Sequence, residues 1–305
     1  MAAVWLTGCA TTGPKEPVGF TSSPWVEEKL SGRRLVTKHF DIWSTLRDGE
    51  FELALPEFLE LAYSSYVGTI PPVEGESPRL NVYVLGTPSE WARFVMSRQP
   101  PGVDIHILTR ADGFTHGSMS ACLYEDRATT LAALAHECWH QYIGTRSDMP
   151  IPAWLDEGLG CCFEVLQVTN GKRKYDSSRN SIRINGLRDA IGRGKLLPLE
   201  QLVISDAASI SRHYDTDLTQ TYYAQVWALV TYLRHGSDGR HTKDLDRLLD
   251  DVGNGRFLAR VSAHKLLAPR GDEIPFGEAA FQTYFKTPTK ALSDDYYAYL
   301  FDLAD

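Results

Sequence analysis

The sequence predicts an α+β fold, in which a half built from a small mixed sheet and helices is followed by a mainly helical half. Before residue 125, short segments with alternating apolar and polar residues are separated by segments with apolar residues at helical spacing. From Ala128 onward the helical spacing dominates. The boundary is expected near residues 144–152, where Gly and Pro interrupt the regular pattern.

Chain breakers and periodicity divide the first half into short elements. Phe51, Leu55 and Leu59 recur at helical spacing and predict an amphipathic helix, and Pro88 stands where the first turn of a second helix would begin. The predicted elements are a strand over residues 36–44, a helix over 50–66, a strand over 79–85, a helix over 88–96, and two short strands over 105–108 and 119–124, joined by a Gly-containing loop around 112–117.

The second half is predicted to be helical over most of its length. The predicted helices cover residues 128–143, 153–168, 182–191, 220–234 and 244–252, with further helices near the C-terminus. The domain interpretation that follows is a signal remnant and tether over residues 1–24, an α+β part over 25–148, and a helical part over 149–305.

Charge and hydropathy exclude several classes of partner. The formal net charge is -8, from 31 basic and 39 acidic residues, so the chain lacks the basic surface that binds phosphate backbones. Nucleic acid is therefore not an expected partner. No stretch approaches the roughly 18 to 20 uncharged apolar residues that cross a bilayer.

The N-terminus carries a different signal. A short apolar run over residues 2–6 ends in Leu6-Thr7-Gly8-Cys9, which resembles a bacterial lipobox, where the Cys is lipidated and becomes the new N-terminus. The run is shorter than a signal-peptide core of roughly 7 to 15 residues and has no preceding Lys or Arg. A start codon placed too late would account for both features.

Residues 10–24 are rich in Thr, Gly, Ser and Pro, a composition typical of a flexible tether. Ala10 after the Cys resembles outer-membrane sorting. We therefore expect a lipoprotein of the cell envelope that faces the periplasm and touches the membrane only through a lipid anchor at Cys9.

The other four cysteines are Cys122, Cys138, Cys161 and Cys162. Disulfides form in an oxidising envelope compartment, and the even number allows pairing. All four lie in apolar segments, however, and two are adjacent in sequence. Buried free thiols are the favoured interpretation.

The strongest chemical signal is His136-Glu137-Cys138-Trp139-His140, an H-E-x-x-H pattern within a segment of strong helix formers. Residues four apart share a helix face, so both imidazoles can bind one zinc ion. Glu137 is offset by one position and can act as the general base on the water of that ion.

A third ligand follows in sequence. Glu157 lies in a second predicted helix, with 16 residues between it and His140. Two His and one Glu complete the three-ligand set of a catalytic zinc site, which keeps one position open. Gly158 is expected to let the two helices approach closely beside the ligand.

These motifs, HECWHQ followed by PAWLDEGLGCCFE, resemble the gluzincin metallopeptidases of the peptidase-MA clan, and especially a peptidase-like family of bacterial envelope proteins of unknown function. The later segment YAQVWALVTYL, which begins at Tyr223, is similar to a Tyr-bearing helix of that family. The likeness runs from near Phe40 to the region of residues 280–285. Gly160 replaces the usual Ala, and Cys161 stands where thermolysin-like relatives have an Asp that orients a His ligand.

The resemblance implies a zincin-like fold, a zinc cofactor, and hydrolysis of peptide bonds in a peptide or protein substrate. It also implies that a hydroxyl from the later helix stabilises the oxyanion. Tyr223 is the first candidate, followed by Tyr222 and His213. An alternative interpretation is a zinc-bearing envelope scaffold without turnover. The sequence leaves open which groups orient the two His ligands.

Overall fold

The structure is a computed structural model that describes residues 18–72, 78–98, 112–145, 150–165, 167–169, 172–174, 176–206, 209–210, 216–266 and 274–305. Cys9, the predicted strand over residues 105–108 and His213 lie outside these ranges. Within them, no helix combines the length and the apolar character needed to cross a membrane.

The first half forms one mixed sheet flanked by two helices, as the α+β prediction requires. The strand order is β1-β2-β3-β4-β6-β5, with β3, β4 and β6 parallel and the other neighbours antiparallel. Among the described residues, strand β5 therefore lies at one edge. The elements are β1 Thr21–Glu27, β2 Leu30–Val36, β3 Phe40–Ser44, α1 Gly49–Thr69, β4 Leu80–Leu85, α2 Pro88–Arg98, β5 Gly113–His116 and β6 Met119–Leu123.

Two predicted boundaries at the start of the sheet were wrong. The predicted strand over residues 36–44 is the end of β2, a reversal and then β3, because the Glu60 carboxylate holds the chain at the reversal by accepting from the Thr37 hydroxyl (2.6 Å) and the His39 amide (2.8 Å). Strand β1 begins at Thr21, so the last four residues of the predicted tether pair with β2.

The predicted loop around residues 112–117 was also wrong. Residues 113–116 form β5, which pairs with β6 through the registers Gly113 with Cys122 and His116 with Met119. The turn between the two strands contains Gly117, whose φ of +57° suits glycine. A four-residue strand with a glycine carries little periodic signal, and its extended state comes from pairing with β6.

The second half is helical, as predicted. One hydrophobic core includes buried side chains from the sheet, from α1 and from the later helices. The helices are α3 Arg127–Gly144, α4 Ala153–Phe163, α5 Ser181–Gly192, α6 Leu199–Ile204, α7 Thr216–His235, α8 Thr242–Gly253, α9 Phe257–Leu266, α10 Phe276–Phe285 and α11 Ser293–Ala304.

Helix α4 ends five residues before the predicted end. The chain leaves it at Phe163 and forms a short hairpin of β7 Gln167–Thr169 and β8 Lys172–Lys174. The two residues between these strands in the sequence are Asn and Gly, a pair that is a strong sequence signal for a hairpin. The helix prediction overran because apolar residues continue into β7.

Candidate metal centre

Helix α3 places His136 and His140 on one face. Asp126 caps its N-terminus by accepting from the amides of Ala128 (2.8 Å) and Thr129 (3.0 Å), and the helix runs without interruption to Gly144. The opposite face, which includes Cys138, is buried in the core. The two imidazole centroids are 4.8 Å apart, so the rings project toward a common point.

Helix α4 brings Glu157 to that point. Its Oε2 lies 3.2 Å from Nε2 of His136 and 3.2 Å from Nε2 of His140. Ligands about 2.0 to 2.1 Å from a tetrahedral zinc lie roughly 3.3 Å from one another, so the separations fit a single ion. His140 and Glu157 keep 17% and 16% of their side-chain exposure, so solvent can reach the site.

Both candidate His ligands have a carboxylate on the ring nitrogen that faces away from this point. Nδ1 of His140 lies 3.0 Å from Asp156, which also accepts from Nε1 of Trp139 (2.9 Å). Nδ1 of His136 lies 2.9 Å from Glu164. A proton held on Nδ1 leaves the Nε2 lone pair free for a metal, an arrangement that raises ligand basicity.

Sequence reasoning missed these two carboxylates. The resemblance directed attention to position 161, where the side chain is a thiol, whereas the partners are Asp156, directly before the Glu ligand, and Glu164, seven residues after it. The pattern D-E-G-x₅-E was the available signal, since positions 157 and 164 lie two helical turns apart and share a face.

Glu164 is the centre of a buried polar cluster. Besides Nδ1 of His136, it accepts from Nδ2 of Asn180 (2.8 Å) and from Nε and Nη2 of Arg183, with Nε at 2.9 Å. Burial disfavours its charge, but Arg183 and His136 outweigh that effect and lower the pKa of Glu164 to about 2. The carboxylate therefore stays ionised at any physiological pH.

The three candidate ligands shift one another's pKa values. Burial opposes the charged form of His136, but its hydrogen bonds with Cys161, Glu157 and Glu164 raise its pKa well above the ordinary value. Burial likewise opposes ionisation of Glu157, yet His140 and His136 hold the pKa of that carboxyl well below its usual range. A divalent ion at this point would meet the ionised Glu157 carboxylate, the same group that favours the His136 proton.

A second group of ligand-type atoms, from His136, Cys161 and Glu164, also lies within 4.8 Å. It shares His136 with the first group but uses the other ring nitrogen. The Glu164 oxygens already bind Arg183 and Asn180, and a guanidinium at that carboxylate repels a metal ion. This group therefore supports the first site and is not a second one.

Glu137 lies beside the ligands and is held by the sheet edge. Its Oε2 accepts from the hydroxyl of Thr115 on β5 (2.7 Å), and its backbone carbonyl accepts from Ser120 on β6 (3.0 Å). A Cβ at Gly113 would lie 3.0 Å from Cγ of Glu137, so the glycine makes room for this side chain. The carboxylate is fixed by the sheet edge and is not among the converging candidate ligand atoms.

The structure separates the two neighbouring tyrosines of α7. Tyr223 is half-buried, and its ring meets the His136 ring edge-on at 5.9 Å between centroids. The charge of Glu157, burial and the charge of Glu137 raise the pKa of Tyr223, so its hydroxyl stays protonated and can donate. Tyr222 is fully buried and donates to the backbone carbonyl of Ser205 (3.2 Å), so its hydroxyl serves packing.

The four cysteines of the described part are free and buried, as the apolar flanks predict. Burial raises the pKa of each thiol. They are therefore protonated at neutral pH, which suits packing better than metal binding.

Two glycines of α4 permit close contacts, but not those expected. A Cβ at Gly158 would lie 2.6 Å from the carbonyl oxygen of Val226 and 2.6 Å from Cγ2 of Val230, both on α7. Gly158 therefore allows the close approach of α7. Gly160 is the glycine that faces α3, and a Cβ at Gly160 would lie 3.0 Å from the His136 ring.

We expect Gly158→Ala to lower the free energy of unfolding by about 1 to 3 kcal/mol, because the added methyl group overpacks a backbone contact. Urea denaturation measures this change. Gly144→Ala is the matched control, because a Cβ at this exposed end of α3 meets nothing within 4 Å and should be neutral or stabilise by up to about 1 kcal/mol. Equal stability of Gly158→Ala and the parental protein would contradict the packing described here.

Comparison with known proteins adds a family likeness without a function. Residues 130–252 match the model of a family described as a protein of unknown function (DUF1570). This segment is less than half of the chain, and it contains the three candidate ligands, Glu137, Glu164, Arg183 and Tyr223. Comparisons with curated proteins and with solved structures gave no match.

Proposed function

We propose that the protein is a zinc-dependent metallopeptidase. The observation that carries this proposal is the convergence of Nε2 of His136, Nε2 of His140 and one Glu157 oxygen, with a carboxylate on each remaining ring nitrogen. Two imidazoles and one carboxylate form a donor set of catalytic zinc sites. When bound, zinc would lower the pKa of a water and polarise the substrate carbonyl.

The residues around the ligands supply the remaining chemistry. Glu137, held by Thr115, accepts the proton of the attacking water and returns it to the departing amine. The protonated hydroxyl of Tyr223 donates to the oxygen that gains negative charge as the carbonyl carbon becomes tetrahedral. Each step then has a residue that can carry it out.

A peptide is the substrate that this surface fits best. Strand β5 lies at the sheet edge and beside α3, and its Thr115 side chain already contacts Glu137. An extended peptide that paired with β5 would run past the metal ligands with its main chain held by strand hydrogen bonds. An edge strand beside the H-E-x-x-H helix also supports the proposal of a zincin-like fold.

The proposal is tested by the variant Tyr223→Phe, which keeps the ring and removes the donor. We expect peptide hydrolysis to fall by about 10 to 10³-fold, because a single oxyanion donor contributes on this order. Zinc content should not change, because Tyr223→Phe keeps the ring and removes none of the candidate ligand atoms.

Tyr222→Phe is the matched control, because that hydroxyl donates to a backbone carbonyl and should not affect kcat. Kinetics on a cleaved peptide, with zinc measured on the same samples, give the result. A kcat for Tyr223→Phe equal to that of Tyr222→Phe would remove Tyr223 from the mechanism.

A further inference from the structure

The buried guanidinium of one arginine contacts two groups at the candidate centre. Arg183 on α5 binds the Glu164 carboxylate through Nε and Nη2, and Glu164 in turn holds Nδ1 of His136. The guanidinium carbon of Arg183 lies 5.1 Å from the centroid of the Tyr223 ring. That ring meets the His136 ring edge-on. The four side chains therefore form a closed cycle of contacts.

The burial of this cycle makes it sensitive to any missing member. The side chains of Glu164 and Arg183 are only 4% and 12% exposed. Removing one partner of a buried ion pair leaves the other charge unpaired, so the remaining group moves or is neutralised. Loss of Arg183 would therefore change the position or the charge of the carboxylate that orients His136.

The geometry of arginine matters here as well as its charge. A guanidinium binds a carboxylate with two nitrogens in one plane and can stack on an aromatic face at the same time. A lysine ammonium offers one point charge and fixes neither the carboxylate plane nor the ring. A lysine ammonium that did not position these two groups would only repel a metal cation bound nearby.

We propose that Arg183 is a positioning residue that sets two groups of the centre at once: the imidazole of His136, through Glu164, and the ring of Tyr223, through stacking. This inference rests on the proposed function and extends it to a residue 26 positions after the Glu ligand. It predicts that zinc affinity depends on the planar, two-nitrogen geometry of the Arg183 guanidinium and not only on its charge.

The test is the dissociation constant for zinc, measured by competition with a chromophoric chelator. Arg183→Met should weaken zinc binding by about 10 to 100-fold, the usual effect of losing a group that orients a ligand. Arg183→Lys keeps the charge and should not restore the parental affinity. Parental affinity in either variant overturns the inference.

Arg193→Met is the matched control. Arg193 also joins α5 to α7, through an ion pair with Asp217, but both side chains are about half exposed. Zinc affinity should stay within about twofold, because exposed pairs contribute little. Thermal unfolding of the metal-free proteins shows whether Arg183→Met and Arg183→Lys remain folded. The visible spectrum of bound Co²⁺ reports the ligand geometry, which should change in these variants and which a purely structural role of Arg183 would leave unchanged.

Double variants test the route of the effect. If Arg183 acts through Glu164, the double variant Arg183→Met/Glu164→Gln should bind zinc no more weakly than whichever of the two single variants has the lower zinc affinity. Tyr223→Leu, which removes the stacked ring, should weaken zinc binding by about 3 to 10-fold alone and add nothing in the Arg183→Met background. Additive losses in either pair overturn the inference, whereas a parental protein that binds no zinc refutes the proposed function itself.

Discussion

Replacing His140 with alanine is expected to weaken zinc binding by more than about 10²-fold. The loss of an orienting group typically costs 10 to 100-fold, and the loss of one of three direct ligands should cost more. The variant also leaves Asp156 and Glu157 without the imidazole that faces both of them. His136→Ala and Glu157→Ala should have effects of the same order, because the three ligands are equivalent in this respect.

Elemental analysis after dialysis against zinc measures this effect, with one zinc per chain expected in the parental protein. His116→Ala is the matched control, because His116 is an exposed residue of β5 and belongs to neither group of ligand-type atoms. Loss of zinc should also remove the thermal stabilisation that bound metal gives. Full zinc occupancy in His140→Ala would show that the ligand assignment is wrong.

Replacing Glu137 with glutamine is expected to lower peptide hydrolysis by about 10² to 10⁴-fold, the usual contribution of a positioned proton-transfer group. The substitution keeps the size and the helix propensity of the side chain and removes its basicity. The Thr115 hydroxyl can still donate to the amide oxygen at this position, so the helix and the sheet edge should keep their contact.

Zinc content separates this effect from metal loss. Glu137→Gln should keep one zinc per chain, since its carboxylate is not among the converging ligand atoms. The expected outcome is thus an intact centre with little turnover. Hydrolysis at the parental rate by zinc-loaded Glu137→Gln would exclude Glu137 as the base, even if the metal ligands are correct.

The sequence was sufficient to predict the convergence of His136, His140 and Glu157, because their arrangement is local. His136 and His140 share a face through helical spacing alone, and the helix is confirmed from Arg127 to Gly144. Glu157 follows after a short connection, and its helix begins with Pro152 at the N-cap. The helix starts and the spacing of these three residues required no knowledge of tertiary contacts.

The supporting residues could not be predicted in the same way. Asn180 and Arg183 reach Glu164 only because α5 packs against α7 and its N-terminus meets the end of α4, and nothing in the local spacing encodes that packing. The same applies to Gly158, which was expected to admit the metal helix and instead admits Val226 and Val230 of α7. Interhelical packing decided both outcomes.

The sheet shows a similar division. Strand β4 and helix α1 follow their apolar patterns, so both were located within a few residues. Strand β5 was missed because pairing with β6 creates it, although it supplies Thr115 to the candidate base. The residues that adjust the centre were therefore harder to identify than the residues that form it.

The most direct test of the proposed peptidase is cleavage of a mixed peptide library, analysed by mass spectrometry. Three samples are compared: the zinc-loaded protein, the metal-free protein and zinc-loaded Glu137→Gln. The proposal predicts cleavage products from the zinc-loaded protein and at least about 10²-fold less product from the other two. Zinc-loaded protein that yields no more product than Glu137→Gln would contradict the proposal and favour a zinc-bearing scaffold.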